Sequence, residues 1–221
     1  MTILRRYMLR AALATIVVLL PGSLSAHVLD EYLQATRISV EIDRIAIEMD
    51  LTPGAEVANN VFQTIDLNHN GTVSSAEAAA YANYVVSSLS LNVDGKRRIV
   101  KLEEYHLPEL DEMRRGEGVI RLRVISISEP AAAGQHRLAF SNTLRSDISE
   151  YLVNALVPED KRIRINGQER NPSQSEFALD YTVFGSGEGT RSRAAFPVLV
   201  VLAVVSAFAI AKHFKSRMNI G

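Results

Sequence analysis

Asp66, Asn68, Asn70, Thr72, Ser74 and Glu77 bring oxygen-bearing groups to alternating positions of one short stretch, Asp-Leu-Asn-His-Asn-Gly-Thr-Val-Ser-Ser-Ala-Glu. A hard cation such as Ca²⁺ takes roughly six to eight oxygen ligands at once. This stretch offers the Asp66 carboxylate, the Asn68 and Asn70 amide oxygens, the Thr72 backbone carbonyl, Ser74 directly or through water, and a bidentate Glu77. Gly71 stands where a ring of converging side chains forces a sharp turn, and glycine takes φ > 0 there without steric cost. Ca²⁺ is therefore the expected cofactor of this segment.

The spacing is that of an EF-hand loop, and its flanks supply the two helices such a loop needs. Val57, Val61, Phe62 and Ile65 recur at helical spacing before it. After it, Ser74 and Glu77 form a capping box that opens a second helix through Tyr81, Tyr84 and Val85, so the motif spans about residues 55–88. With carboxylates only at Asp66 and Glu77, the expected dissociation constant is on the order of 10⁻⁴ to 10⁻³ M, the range of extracellular modules. His69 is expected to point outward into solvent. Such loops pair through their eighth position, here Val73, but no second loop is visible: Asp111 to Leu122 has Met113, Arg115 and Leu122 where ligands belong and reads as ordinary loop and strand. Val73 must then pack on the rest of the domain or on a second copy, a homodimer through the EF-hand.

Other chemistry finds little support. There is no cysteine, and no Gly-x-Ser-x-Gly, His-Glu-x-x-His or phosphate-binding glycine loop. Glu103-Glu104 and Asp111-Glu112 read as solvated faces, and Asp147, Ser149 and His136 would meet only by accident of folding. No catalytic residue is assigned, and the chain is not expected to be an enzyme. His27 is a candidate second metal site: cleavage after Ala26 would make it the new N-terminus, whose amine and imidazole together suit Ni²⁺ or Cu²⁺.

The elements that must position these residues start with the ends. Arg5, Arg6 and Arg10 precede an apolar run from Ala11 to Leu20 and then Pro21-Gly22-Ser23-Leu24-Ser25-Ala26, so residues 1–26 are expected to be a signal peptide. Ala194 to Ala211 is free of charge and long enough for one transmembrane helix. Lys212, Lys215 and Arg217 follow it, which puts residues 212–221 in the cytoplasm and the body outside. Residues 185–193, with Gly185, Gly187 and Gly189, form a linker, and the ectodomain is 27–184. Residues 27–193 keep eighteen of the twenty-four basic residues and all twenty-five acidic ones, a net charge of −7. That balance argues against nucleic acid as a partner.

The ectodomain reads as mainly β with an α insertion. Alternating, β-branched runs occupy Tyr32–Val40, Arg44–Leu51, Leu89–Val93, Arg98–Tyr105, Val119–Ile127, His136–Phe140, Ile163–Ile165 and Glu176–Val183. Asp94-Gly95 and Asn166-Gly167 signal hairpin turns. The expected fold is a β-sandwich-like ectodomain carrying one EF-hand between its second and third strands, followed by the C-terminal transmembrane helix.

Three segments carry a resemblance: Ala26-His27-Val28-Leu29-Asp30-Glu31-Tyr32-Leu33-Gln34, Met49-Asp50-Leu51-Thr52-Pro53-Gly54, and Tyr151-Leu152-Val153-Asn154-Ala155-Leu156-Val157-Pro158. They resemble the outward-facing region of bacterial membrane proteins similar to the hydrogenase and urease accessory transporters of the nickel family. The resemblance implies a periplasm-facing domain tethered to the inner membrane; a single expected helix replaces the multi-span transport portion. Two readings follow. One is a calcium-dependent binding or structural module with a protein partner. The other is an accessory component of a nickel or copper uptake system, with His27 as ligand.

Overall fold

The computed structural model describes residues 30–185. The signal peptide, His27, the linker beyond residue 185 and the apolar run 194–211 lie outside the described residues. Within them, no helix is long and apolar enough to cross a membrane.

Among the described residues, ten strands form two five-stranded sheets. In the first, β1 (Tyr32–Val40) pairs antiparallel with β2 (Arg44–Pro53), which pairs with β6 (Ile120–Ile127) and through it with β5 (Lys101–His106). On its other side β1 pairs parallel with β8 (Ser149–Ala155). The second sheet runs β4 (Lys96–Arg97), β3 (Leu89–Val93), β7 (Gly134–Asn142), β10 (Glu176–Val183), β9 (Ile163–Arg170), all antiparallel. Period-two alternation turns one face of each sheet inward. Ile38, Ile47, Met49 and Val124 of the first sheet join Leu91, Leu138, Phe140 and Leu179 of the second in one buried cluster, an arrangement consistent with a β-sandwich.

Helices α1 (Ala58–Ile65) and α2 (Ser75–Ser87) lie between β2 and β3, as expected, and α3 (Leu110–Arg114) between β5 and β6. Ala58, Val61, Phe62 and Ile65 of α1, with Tyr81, Ala82 and Val85 of α2, belong to the same core cluster. Each fully buried Val or Ile among them contributes roughly 1.5–3 kcal/mol. Packing thus holds the helical pair to the sheets independently of any ion.

Four expectations need correction. Asn166-Gly167 is not a turn: β9 runs straight through it, Gly167 pairs with Asp180, and the ladder absorbs the irregularity as a register shift at Asp180/Tyr181. The reversal comes at residues 171–175, where Gln174 has φ +55°. The strand expected from Arg98 to Tyr105 is split: β4 makes two pairs with β3, Arg98 N donates to Leu91 O at 2.8 Å, and the chain then crosses to the other sheet as β5. β8 was not read as a strand at all. Finally, the stretch from Asp111 begins as helix α3, which buries Met113 so closely under Gly118 that a Cβ there would lie 2.8 Å from Met113 N.

The connections sort to two ends. At one lie the α1–α2 insertion after Pro53, the β7–β8 loop and the β9–β10 turn; Thr143 N ties this loop to Ser88 O at 3.1 Å. At the other lie the β1–β2 turn, the β6–β7 loop and the β8–β9 loop, joined where Ser128 N and Ala131 N donate to Asp43 O and Ile42 O and Leu156 N to Ile38 O.

Candidate metal centre

α1 ends by placing Asp66 as its C-cap, with the Asp66 N–H donating to Phe62 O at 2.9 Å and the side chain turned inward, 4 % exposed. The chain then folds back through two left-handed residues, His69 at φ +57° and Gly71 at φ +82°. His69 is exposed, as expected, and its conformation costs strain that Gly71 escapes.

This bend aims a fan of backbone N–H groups at side-chain oxygens. Asp66 Oδ1 accepts from Asn70 N at 3.1 Å and Oδ2 from Gly71 N at 2.8 Å. Asn68 Oδ1 accepts from Asn70 N at 3.0 Å, and Asn70 Oδ1 from both Thr72 N and Thr72 Oγ1 at 2.8 Å. The donors fix each oxygen's position; Asp66 Oδ1, Asp66 Oδ2 and Asn68 Oδ1 each keep a free lone pair, while Asn70 Oδ1 already accepts twice.

Glu77 closes the loop from α2. Ser74 caps that helix, its hydroxyl accepting from Glu77 N at 3.3 Å, and both halves of the expected capping box are present. The Glu77 carboxylate, 7 % exposed, reaches back so that Oε1 accepts from Asn68 N at 3.2 Å and Oε2 from Ser74 N at 2.9 Å and Ser74 Oγ at 2.7 Å. The Ser74 hydroxyl, then the backbone N–H groups, hold the Glu77 pKa below its ordinary value. The last residue of the loop is thereby turned back toward its start, at Asn68. Val73, in the loop between Asp66 and α2, is partly buried against the core.

The six expected ligand residues are thus adjacent and ordered around one bend. The donor set is all oxygen: two carboxylates, two amides, a hydroxyl and the Thr72 backbone carbonyl. It fits a hard cation and offers nothing to a soft one. Among the described residues no group of three or more His, Cys, Asp or Glu is placed to hold a metal ion.

The structure does not bring together the other residues weighed for chemistry. His136 lies at the opposite end, bonded to Asp94 at 2.8 Å, while Asp147 pairs with Arg145 at 2.8 Å and Ser149 Oγ donates to Leu144 O at 3.0 Å. Glu103 answers Arg123 across the sheet at 2.7 Å, and Asp111 and Glu112 are exposed.

One polar cluster escaped the sequence reading. Gln34, fully buried, donates to Leu144 O at 2.8 Å and accepts from Asn142 Nδ2 at 2.8 Å, and Asn142 Oδ1 accepts from Leu144 N at 2.9 Å. Tyr151 OH adds a 2.9 Å bond to the same Leu144 carbonyl. With every member partnered, this network stitches the two sheets beside the metal loop rather than forming a site. In comparison with known proteins, no family model matches this chain, and no curated protein matches it.

Proposed function

We propose that this chain binds Ca²⁺ through a single EF-hand and works as a binding or structural module, a β-sandwich held on the periplasmic face of the inner membrane by residues 194–211. The observation that carries the reading is the placement of Asp66 and Glu77, both buried, at the two ends of one loop. Two inward-turned carboxylates from different helices sit at 4 % and 7 % exposure, each oxygen already oriented by an N–H donor, with neutral oxygen ligands between them. Bound Ca²⁺ would supply the positive charge that these two carboxylates face, and would lock α1 to α2. The surface so ordered is the one offered to a protein partner. The resemblance to outward-facing regions of nickel-family membrane proteins supports the periplasmic placement.

The test is a thermal melt of the full chain in detergent, with millimolar CaCl₂ and with excess chelator. At a concentration ten times the dissociation constant, binding to the folded state alone stabilises by about 1.4 kcal/mol. Glu77→Gln keeps the oxygen that caps Ser74 but removes the charge, and should erase the difference. If wild type melts identically in both buffers, or Glu77→Gln still responds, the reading fails. Deleting His27 should leave the calcium response untouched.

A further inference from the structure

The two outer sheet faces are laced with charge. Arg37 reaches Asp50 at 2.9 Å and Arg123 reaches Glu103 at 2.7 Å on one, and Arg137 holds Asp180 at 2.8 Å and Glu169 at 2.7 Å on the other. The end opposite the metal loop is different. Val157 there is 88 % exposed, Ile127 73 % and Leu156 38 %. Ile99, 77 % exposed, lies at the same end, beside Ile127 on the β5–β6 edge and across the sheet from β8: it precedes Lys101 by two residues, and Lys101 pairs with Ile125, two before Ile127. The neighbouring segments Pro130-Ala131-Ala132-Ala133 and Leu156-Val157-Pro158 add no charge. Large apolar side chains left exposed at one end of a domain mark a surface that contact with an apolar partner would stabilise.

The course of the chain says what covers them. β10 ends at this same end, where Val183 pairs with Gly134 and Ile163 and Phe184 N donates to Arg162 O at 2.8 Å. Residues 186–193 then span at most about 28 Å even fully extended, and the apolar run begins at Ala194. The calcium loop lies a strand's length further away, about 30 Å for nine residues. Arg44 and Arg162 at this end are already paired, with Glu41 at 2.7 Å and Asp160 at 2.6 Å, while Lys96, Lys101 and Lys161 are exposed there. We propose that Ile99, Ile127, Leu156 and Val157 dock on the lipid bilayer, inserting at the boundary between headgroups and acyl chains by apolar contact. The proposal rests on residues 194–211 being a membrane span. It stands the domain on the membrane with its metal loop directed away, so a partner approaches that loop from the periplasm.

The chain contains no tryptophan, so one introduced residue reports alone. Val157→Trp and Ile127→Trp replace exposed side chains, and Leu67→Trp, at a position 62 % exposed in the metal loop, is the control. Each full-length variant is reconstituted into phosphatidylcholine vesicles with plain or brominated acyl chains, with and without phosphatidylglycerol, and recovered by flotation. Insertion to the acyl boundary should quench Val157→Trp and Ile127→Trp about twofold or more in brominated vesicles, with or without the anionic lipid, and leave Leu67→Trp bright. Quenching of none of the three, or a blue shift at position 157 without bromine quenching, as a second copy or the chain's own tail would give, overturns the docking. So does quenching that appears only with phosphatidylglycerol. A chain that does not float refutes the membrane span itself and the docking with it, while one that floats unquenched refutes the docking alone.

Discussion

The phenol oxygens of Tyr32 and Tyr81 lie 2.8 Å apart in a buried hydrogen bond. Tyr32 opens β1, and Tyr81 sits one helical turn after Glu77 on α2, so the bond fastens the helix that closes the metal loop to the first strand of the domain. Burial pushes the Tyr81 hydroxyl up to about 12 and Tyr32 well above its ordinary value, which keeps both protonated through the physiological range.

Replacing either tyrosine with Phe strands the other hydroxyl in an apolar site. Tyr81→Phe and Tyr32→Phe should each cost about 1–3 kcal/mol in denaturant unfolding. The double variant removes both polar groups and should cost less than the sum of the two. Strict additivity in this cycle would mean that the hydroxyls do not act as a pair.

Charge count sets the affinity of an oxygen site, and Asn68 offers a nearly isosteric place to add one. Its Oδ1 accepts from Asn70 N at 3.0 Å, a bond that an aspartate oxygen retains. Asn68→Asp should tighten Ca²⁺ binding on the order of tenfold in calorimetry. In chelator the same variant should melt below wild type, because a third carboxylate then repels Asp66 and Glu77. Unchanged affinity would show that position 68 does not face the ion.

How much of this was legible in the sequence depended on how local the cause was. The two helices around residues 66–77, the capping box and the alternating strands β1, β2, β6 and β10 rest on near-neighbour spacing, and they lie close to where that spacing put them. β8 was missed because its large apolar residues Tyr151, Leu152 and Val153 are consecutive rather than alternating, and Ser149–Ala155 takes its place by pairing in parallel with β1, more than a hundred positions earlier. Asn166-Gly167 misled for a related reason: the dipeptide favours a turn, but β10 offers a continuous partner on that side, and pairing outweighed the local preference. Gln34 sits among inward positions of β1, where a polar residue reads as outward until Asn142 and Leu144 are known to meet it.

His136 shows a further non-local effect, which carries the last prediction. Its Nδ1 lies 2.8 Å from Asp94 Oδ2, its Nε2 2.9 Å from Ala132 O, and the ring stacks on Tyr181 with centroids 5.3 Å apart. Both neighbours are acceptors, so the doubly protonated imidazole, which donates from both nitrogens, is the form these contacts favour. Burial works against that charge, but the bonds to Asp94 and Ala132 outweigh it and raise the His136 pKa above its ordinary value. Asp94 shifts the other way: burial opposes its ionisation, yet the His136 and Arg137 N–H bonds outweigh that and lower it. A raised histidine pKa contributes stability that is complete below the unfolded value of about 6.5 and is lost as pH rises through the folded value. The lowered Asp94 contributes above its unfolded value of roughly 4 and is lost only as pH falls below that. The pair is therefore strongest in mildly acidic solution. Wild-type melting temperature should decline from pH 6 toward about 9 relative to that of His136→Phe, which keeps an aromatic ring beside Tyr181 but cannot titrate. The Asp94-Gly95 turn, pinned through Asp94 Oδ1 to Arg137 N at 2.9 Å, should gain amide exchange over the same range. Parallel pH profiles for the two proteins would mean that His136 is neutral in the fold and that one of its two nitrogens is not donating.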